Sequence, residues 1–246
     1  KLILALLTTL FLQILSNFAN DYGDGIKGSD QNRETNDRMV QSGKISKDEM
    51  KKGIIILSIS GFFSGLLLIF FSFPLEDTNK ILFFLVLGVL AIVAAIKYTV
   101  GRSAYGYHGL GDLFVFLFFG IVGVFGSFFL FTMEINLLAV PGSLYIGSLS
   151  CAVLNLNNMR DIENDMKSNK QTFAVLLGQN KSKIYHYFLI IIAFISLIFL
   201  LINSGSKLYY LSFLPFVICL INILSVYKNK NPQDLDGELK KVALSC

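Results

Sequence analysis

The sequence predicts an all-α, polytopic bundle of membrane-spanning helices, on three observations. Of its 246 residues, 54% are hydrophobic, only 15% are charged, and 23 are Phe, a composition suited to lipid rather than water. Seven apolar runs lie at about residues 2–19, 53–73, 81–98, 112–131, 137–156, 185–203 and 207–226. Each approaches the roughly 20 residues that carry a helix, at 1.5 Å per residue, across about 30 Å of hydrocarbon. Residues 113–131 and 189–202 are apolar at nearly every position, whereas barrel strands would alternate in polarity over roughly ten residues. The chain therefore reads as a single transmembrane domain, 1–246, with seven spans.

The first run begins directly behind Lys1 and ends in a polar string, Asn20-Asp21-Tyr22-Gly23-Asp24. No basic region precedes it and the string stands where a small-residue cleavage site would, so a cleavable signal peptide is not expected. Lys1 in place of Met, and a stop just after a charged stretch at Leu244-Ser245-Cys246, give the expectation of a fragment. A polar loop of about 30 residues then leads to Lys44, Lys47, Lys51 and Lys52, a solvated helix start that anchors the second run. Pro74-Leu75-Glu76-Asp77-Thr78-Asn79-Lys80 has ordinary turn composition before the third run. Lys97 and Arg102 follow as snorkelling anchors or a lid, and Asp112 can cap the fourth run or act in catalysis. The fifth run ends in a second string, Asn157-Asn158-Met159-Arg160-Asp161-Ile162-Glu163-Asn164-Asp165, and a basic loop of about 20 residues. Ser204-Gly205-Ser206 joins the last two runs. A span, an Asn-x-x-x-Asp string and a basic loop thus occur twice, a faint internal repeat. Cys151 and Cys219 sit in apolar runs and Cys246 at the end, without metal-ligand spacing, and read as small buried hydrophobes.

Charge sets the expected orientation. Loops 20–52, 97–111, 157–184 and 227–246 hold 18 of the 21 Lys and Arg residues, which places those loops in the cytoplasm and Lys1 outside. Both strings then open toward the cytoplasm of a multi-pass membrane protein. The net charge of +4 arises in these loops and suits an anionic membrane face or an anionic substrate, not nucleic acid in particular.

Helical spacing gives the strings their chemistry. Residues four apart share a helix face, about 6 Å of rise per step, so Asn20 and Asp24 point together, as do Asn157, Asp161 and Asp165. Acids near bilayer depth cost at least about 2.5 kcal/mol each unless compensated. A divalent cation compensates them, and carboxylate and amide oxygens with no adjacent Cys or His favour magnesium over zinc. A helix C-terminus repels phosphate, so phosphate must arrive through metal or through bases. Lys27, Arg33 and Arg38 follow the first string; Arg160, Lys167 and Lys170 lie within or after the second. Acids for metal and bases for phosphate, opening into an apolar bundle, specify a lipid diphosphate. For an allylic diphosphate, neutralised charge lets the carbon–oxygen bond ionise, and the cation must be shielded from water. Tyr22, Tyr98 and Tyr107 are candidates to face that cation, with packing as their ordinary role.

Four segments carry a resemblance: Ala19-Asn20-Asp21-Tyr22-Gly23-Asp24-Gly25-Ile26-Lys27-Gly28, Tyr107-His108-Gly109-Leu110-Gly111-Asp112, Asn157 through Asp165, and Lys170-Gln171-Thr172-Phe173-Ala174-Val175. On these the chain resembles the UbiA superfamily of intramembrane prenyltransferases, and within it the branch acting on 1,4-dihydroxy-2-naphthoate in menaquinone synthesis. The resemblance implies a nine-helix bundle, of which the first and last helices lie outside this chain, in a bacterial inner membrane. It implies that Asn20, Asp24, Asp161 and Asp165 surround a magnesium diphosphate, with Asn157 and Arg160 adjacent. Asp21, Tyr22, Lys27, Asp30, Arg38 and Lys170 match motif or flanking positions for diphosphate and acceptor. Gly28 stands where the general superfamily pattern has Asp, with Asp30 two residues on, a shift typical of the naphthoate branch. His108 stands where many relatives carry Arg, and a solvated loop histidine is its plain reading.

Two rival functions make different demands. A related prenyltransferase would take another aromatic acceptor, such as 4-hydroxybenzoate. A cation-coupled transporter would place acids near the bilayer midplane on helices broken by Gly or Pro, whereas these acids sit at the ends of runs and Pro141 and Pro215 have no matched acidic partner.

Overall fold

The computed structural model describes residues 1–28, 39–203 and 207–245. Its elements are helical throughout, and no strand element occurs among the described residues. The helices are α1 (Leu2–Lys27), α2 (Lys47–Ser72), α3 (Thr78–Lys97), α4 (Gly111–Val115), α5 (Ser127–Thr132), α6 (Ala139–Arg160), α7 (Ile162–Lys167), α8 (Phe173–Leu177), α9 (Gln179–Asn203), α10 (Phe213–Lys228) and α11 (Leu235–Ala243). Seven helical stretches among the described residues are long and apolar enough to cross a membrane, at the seven predicted positions. Their faces follow the solvent they meet: Phe83 is 63% and Ile202 75% exposed, side chains that lipid covers as hydrocarbon rather than water.

The chain groups into two compact units. The first comprises Lys1–His108 with Leu130–Thr132 and Lys167–Lys170; the second comprises Gly109–Phe129, Met133–Met166 and Gln171–Cys246.

In the first unit α1 packs on α2 and α3. Leu15, Ala19 and Ile54 form its apolar centre, with Phe18, Tyr22 and Ile96 against them. The α1 helix does not stop before its polar string. It continues through Asn20 and Asp24 to Lys27, where Gly28 ends it in a left-handed conformation at φ 73°. Ser46 and Glu49 build a capping box at the head of α2: Ser46 Oγ accepts from the Glu49 amide at 3.2 Å, and Glu49 Oε2 accepts from the Ser46 amide at 2.9 Å. The lysines around it are solvated, as the sequence suggests.

In the second unit α6 is the central helix, packed against α9, α11 and the fourth span. Leu149, Ala152, Leu156 and Met159 on α6 are fully buried, with Ile190, Ala193, Phe216 and Val242 around them. The fourth span departs from a plain α-helix: between α4 and α5, residues Phe116–Gly126 wind as a π-helix. Three glycines, 120, 123 and 126, fall in that stretch. A Cβ on Gly120 would stand 2.7 Å from Ser143 O and 2.9 Å from Gly147 Cα, so two backbones touch where neither carries a side chain.

Two expectations about this unit are corrected. Asp112 does not cap the fourth span: the position before Gly111 is Leu110, which makes no side-chain cap. Asp112 Oδ1 instead accepts a hydrogen bond from the Tyr185 hydroxyl of α9 at 3.1 Å. The second string is not one uninterrupted helix, because α6 ends at Arg160, and Asp161, at φ −99° and ψ 8°, forms the junction to α7. Four-residue hydrogen bonds persist on both sides, from the Asp161 amide to Asn157 O and from the Asp165 amide to Asp161 O, so the spacing carries across the junction. Cys151 and Cys219 are buried free thiols.

Candidate active site

The first string presents Asp24 on the last turns of α1, with a carboxylate 1% exposed. A carboxylate so deeply buried needs partners, and it has strong ones. Lys170 Nζ donates to Oδ2 at 3.0 Å, and the Tyr107 hydroxyl donates to Oδ1 at 2.7 Å. The Lys27 ammonium lies 3.6 Å from the centre of the Tyr107 ring, and that of Lys170 lies 5.4 Å away. One acid, two cations and a tyrosine thus form a single cluster, with cation–π contact holding the lysines beside the carboxylate. Gly23 sets its position: an added Cβ would come within 2.5 Å of Thr99 Oγ1, and that hydroxyl bonds Ala19 O at 2.8 Å. Behind the cluster the Tyr105 hydroxyl donates to Ala94 O at 2.8 Å, and burial, with Tyr98 alongside, raises its pKa so that it stays a donor.

The remaining residues of this string divide by role. Asn20 Oδ1 is buried and accepts no hydrogen bond from any described residue. Asp21 turns the other way, its two oxygens accepting from the backbone amides of Met39 at 2.9 Å and Val40 at 3.3 Å. It holds the chain that leads to α2. Tyr22 packs on the apolar centre of the first unit, and the face of Tyr107 is taken by Lys27. Asp30, Arg33 and Arg38 lie outside the described residues.

In the second string Arg160 is the organiser. Its Nε and Nη2 each donate to an oxygen of Asp161 at 2.9 Å, a bidentate grip, and Nη2 also donates to Asn157 Oδ1 at 2.7 Å. Its Nη1 donates to Asp236 on α11. Asp165 is buried, and its Oδ2 accepts from the Thr172 hydroxyl at 3.4 Å. Thr172 also caps α8. His108 is exposed, as its plain reading has it.

Sequence reasoning found Asp24, Lys170 and Arg160 but not two partners. The hydroxyl of Tyr107 on Asp24 is missed because a tyrosine in an aromatic-rich membrane chain carries no local mark of its partner, 83 residues away. Asp236 lies 76 residues from Arg160 in a segment that reads as solvated charge.

The residues fit a hard divalent cation in one specific respect. Asn20 Oδ1 is a buried amide oxygen to which no described residue donates, a hard donor atom that a cation could satisfy. No group of three or more His, Cys, Asp or Glu side chains gathers among the described residues.

Relatives carry the same chemistry in their names. A 1,4-dihydroxy-2-naphthoate octaprenyltransferase of Haemophilus influenzae is 42% identical over 245 residues, covering 99% of this chain and 79% of that protein. Proteins with that name from Escherichia coli and Mycobacterium tuberculosis are 44% and 34% identical, over 75% and 78% of this chain and 59% and 63% of their own lengths. No solved structure gives a significant match. The model of the UbiA prenyltransferase family, whose members are generally dependent on divalent metal, matches residues 1–239. With the family model matched over residues 1–239 and relatives up to 44% identical, the chain belongs to the UbiA prenyltransferase family.

Proposed function

We propose that this prenyltransferase moves a polyprenyl group from its diphosphate to a carbon of 1,4-dihydroxy-2-naphthoate, giving a demethylmenaquinol, the reduced form of a demethylmenaquinone. One carbon–carbon bond forms, the allylic carbon–oxygen bond breaks, and diphosphate and the acceptor's carboxylate, as carbon dioxide, depart. The observation that carries the reading is the Asp24 cluster: a buried carboxylate held by Lys170 and Tyr107, beside Lys27 and one turn from the unsatisfied Asn20 Oδ1. The names of the relatives support the acceptor, and the basic loops support a site at the cytoplasmic face of a bacterial inner membrane.

Asn20 and Asp24 in the first string, and Asp161 and Asp165 in the second, would hold magnesium together with the diphosphate, and the metal would supply charge neutralisation of the leaving group. The chain's own residues do the rest. Lys27 and Lys170 add positive charge against the diphosphate, with Tyr107 holding them near Asp24. Arg160 fixes Asp161 and Asn157 and has a guanidinium suited to phosphate oxygens. Asp30 and Arg38 are further candidates for the diphosphate end, and Tyr22 for the prenyl or acceptor end. Apolar spans receive the prenyl tail and exclude water from the allylic cation.

Membranes containing the full-length protein, given radiolabelled polyprenyl diphosphate and magnesium with either naphthoate or 4-hydroxybenzoate, test the acceptor. Label is expected in the naphthoate product alone. Label in hydroxybenzoate alone overturns the acceptor, and label in neither, with the protein folded, overturns the diphosphate reading.

A further inference from the structure

Arg160 is nearly saturated by Asp161 and Asn157, yet its remaining terminal nitrogen, Nη1, is taken by a residue far along the chain. Asp236 Oδ1 accepts from it, and Lys240, one turn on, lies 3.7 Å from Asp236 Oδ2. The Arg160 side chain is only 10% exposed while that of Asp236 is 45% exposed, so the acid reaches inward from the surface to a cation largely withdrawn from solvent.

The helix that carries Asp236 is itself held in place. Leu235, Glu238 and Val242 form the buried stripe of α11, a spacing of three and four that lays one face on α6. Glu238 Oε2 accepts from Asn222 Nδ2 at 2.9 Å, and Asn222 Oδ1 bonds His186 Nε2 at 2.7 Å. Lys241 donates to the other Glu238 oxygen at 2.6 Å. Asn222 and His186 are fully buried, so α11 is tied through α10 to α9 by a polar chain within the packed unit. A surface helix fastened by its buried face presents a carboxylate to the one arginine that organises the second acid string.

We propose that Asp236 is a positioning residue for prenyl diphosphate binding, acting through Arg160. By holding Nη1, it fixes the plane of the guanidinium, so that Nε and Nη2 keep Asn157 and Asp161 in register for the magnesium diphosphate. Without it the guanidinium rotates about its long side chain, and the ligand geometry of the string loosens. The inference rests on the diphosphate reading above and not on the identity of the aromatic acceptor.

The test uses the full-length enzyme in detergent and three readouts: KM and kcat for polyprenyl diphosphate, inhibition of transfer by magnesium pyrophosphate, and calorimetric binding of magnesium pyrophosphate, which needs neither acceptor nor turnover. Asp236→Ala is expected to raise KM and weaken pyrophosphate inhibition each about tenfold, with kcat falling less, the size of a coupled polar pair. Asp236→Glu restores most of the effect. In an Arg160→Lys background, where the fork is absent, Asp236→Ala changes pyrophosphate inhibition less than twofold. Should Asp236→Ala lower the melting temperature, the isosteric Asp236→Asn takes its place in the same cycle. Wild-type inhibition constants in Asp236→Ala, or in Asp236→Asn where it takes that place, or an equal loss in the wild-type and Arg160→Lys backgrounds, overturn the positioning role. Failure of the wild-type enzyme to bind magnesium pyrophosphate at all overturns the diphosphate reading instead.

Discussion

Asp24 sits where a single charge change has the largest consequence. Asp24→Asn removes the acid that two cations face and breaks its ion pair with Lys170, whose side chain is 9% exposed. Turnover is expected to fall about a hundredfold or more, measured as prenyl transfer at saturating magnesium. Tyr107→Phe keeps the ring beneath Lys27 and removes only the hydroxyl on Asp24. It should cost about 1.5 to 3 kcal/mol of the carboxylate's stabilisation, read as a lower melting temperature with a smaller loss of turnover than Asp24→Asn. At Glu238, burial alone would raise the carboxyl pKa, but hydrogen bonds from Lys241 and Asn222 outweigh it and hold the pKa below the ordinary 4.5. A carboxyl lowered by folding stabilises the native state above pH 4.5 and loses that contribution as pH falls through its folded value. Melting temperature should therefore drop below pH 4.5 more steeply in wild type than in Glu238→Gln. At this scale the sequence discloses identity better than partnership. Asn20, Asp24, Asp161 and Asp165 stand out in the sequence as candidates by their spacing, whereas the hydrogen bonds of Tyr107 and Asp236 depend on contacts that only folding creates. Asp21 shows the converse, an acid inside a motif whose oxygens hold the backbone of Met39 and Val40.

Helices are the scale at which a membrane sequence is most legible, because backbone groups in lipid must bond within their own segment. All seven spans fall where apolar runs predict them. The departures have local causes. Helix α1 runs on to Lys27 because its polar string has i, i+4 spacing and nothing breaks it before Gly28. The α6 helix ends at Arg160, whose guanidinium grips both carboxylate oxygens of Asp161 at the junction to α7. The π-wound stretch Phe116–Gly126 leaves no mark in hydropathy, since winding changes bonding partners and not composition. Its closest approach yields a prediction: Gly147→Ala places a Cβ 2.9 Å from the Phe116 ring and 3.2 Å from Gly120 Cα. That overpacking should cost about 1 to 3 kcal/mol, seen as reduced thermal stability in detergent, with residual activity of the folded fraction retained.

Across the whole molecule, the pattern is an apolar scaffold with its polar investment concentrated in two strings and the basic loops behind them. Composition and loop charge predict this arrangement, and the family match bears out the chemistry class. Neither hydropathy nor spacing encodes how the paired groups meet. The central claim is that these acids serve a metal-dependent ionisation of a prenyl diphosphate. The most direct measurement follows release of labelled diphosphate and formation of prenylated product by the full-length enzyme, with magnesium, with chelator, and with magnesium restored. Wild type should be active only when magnesium is present and should recover when it is restored, while Asp24→Asn and Asp161→Asn stay nearly inactive throughout. Undiminished transfer in chelator, or wild-type turnover in both variants, would contradict it.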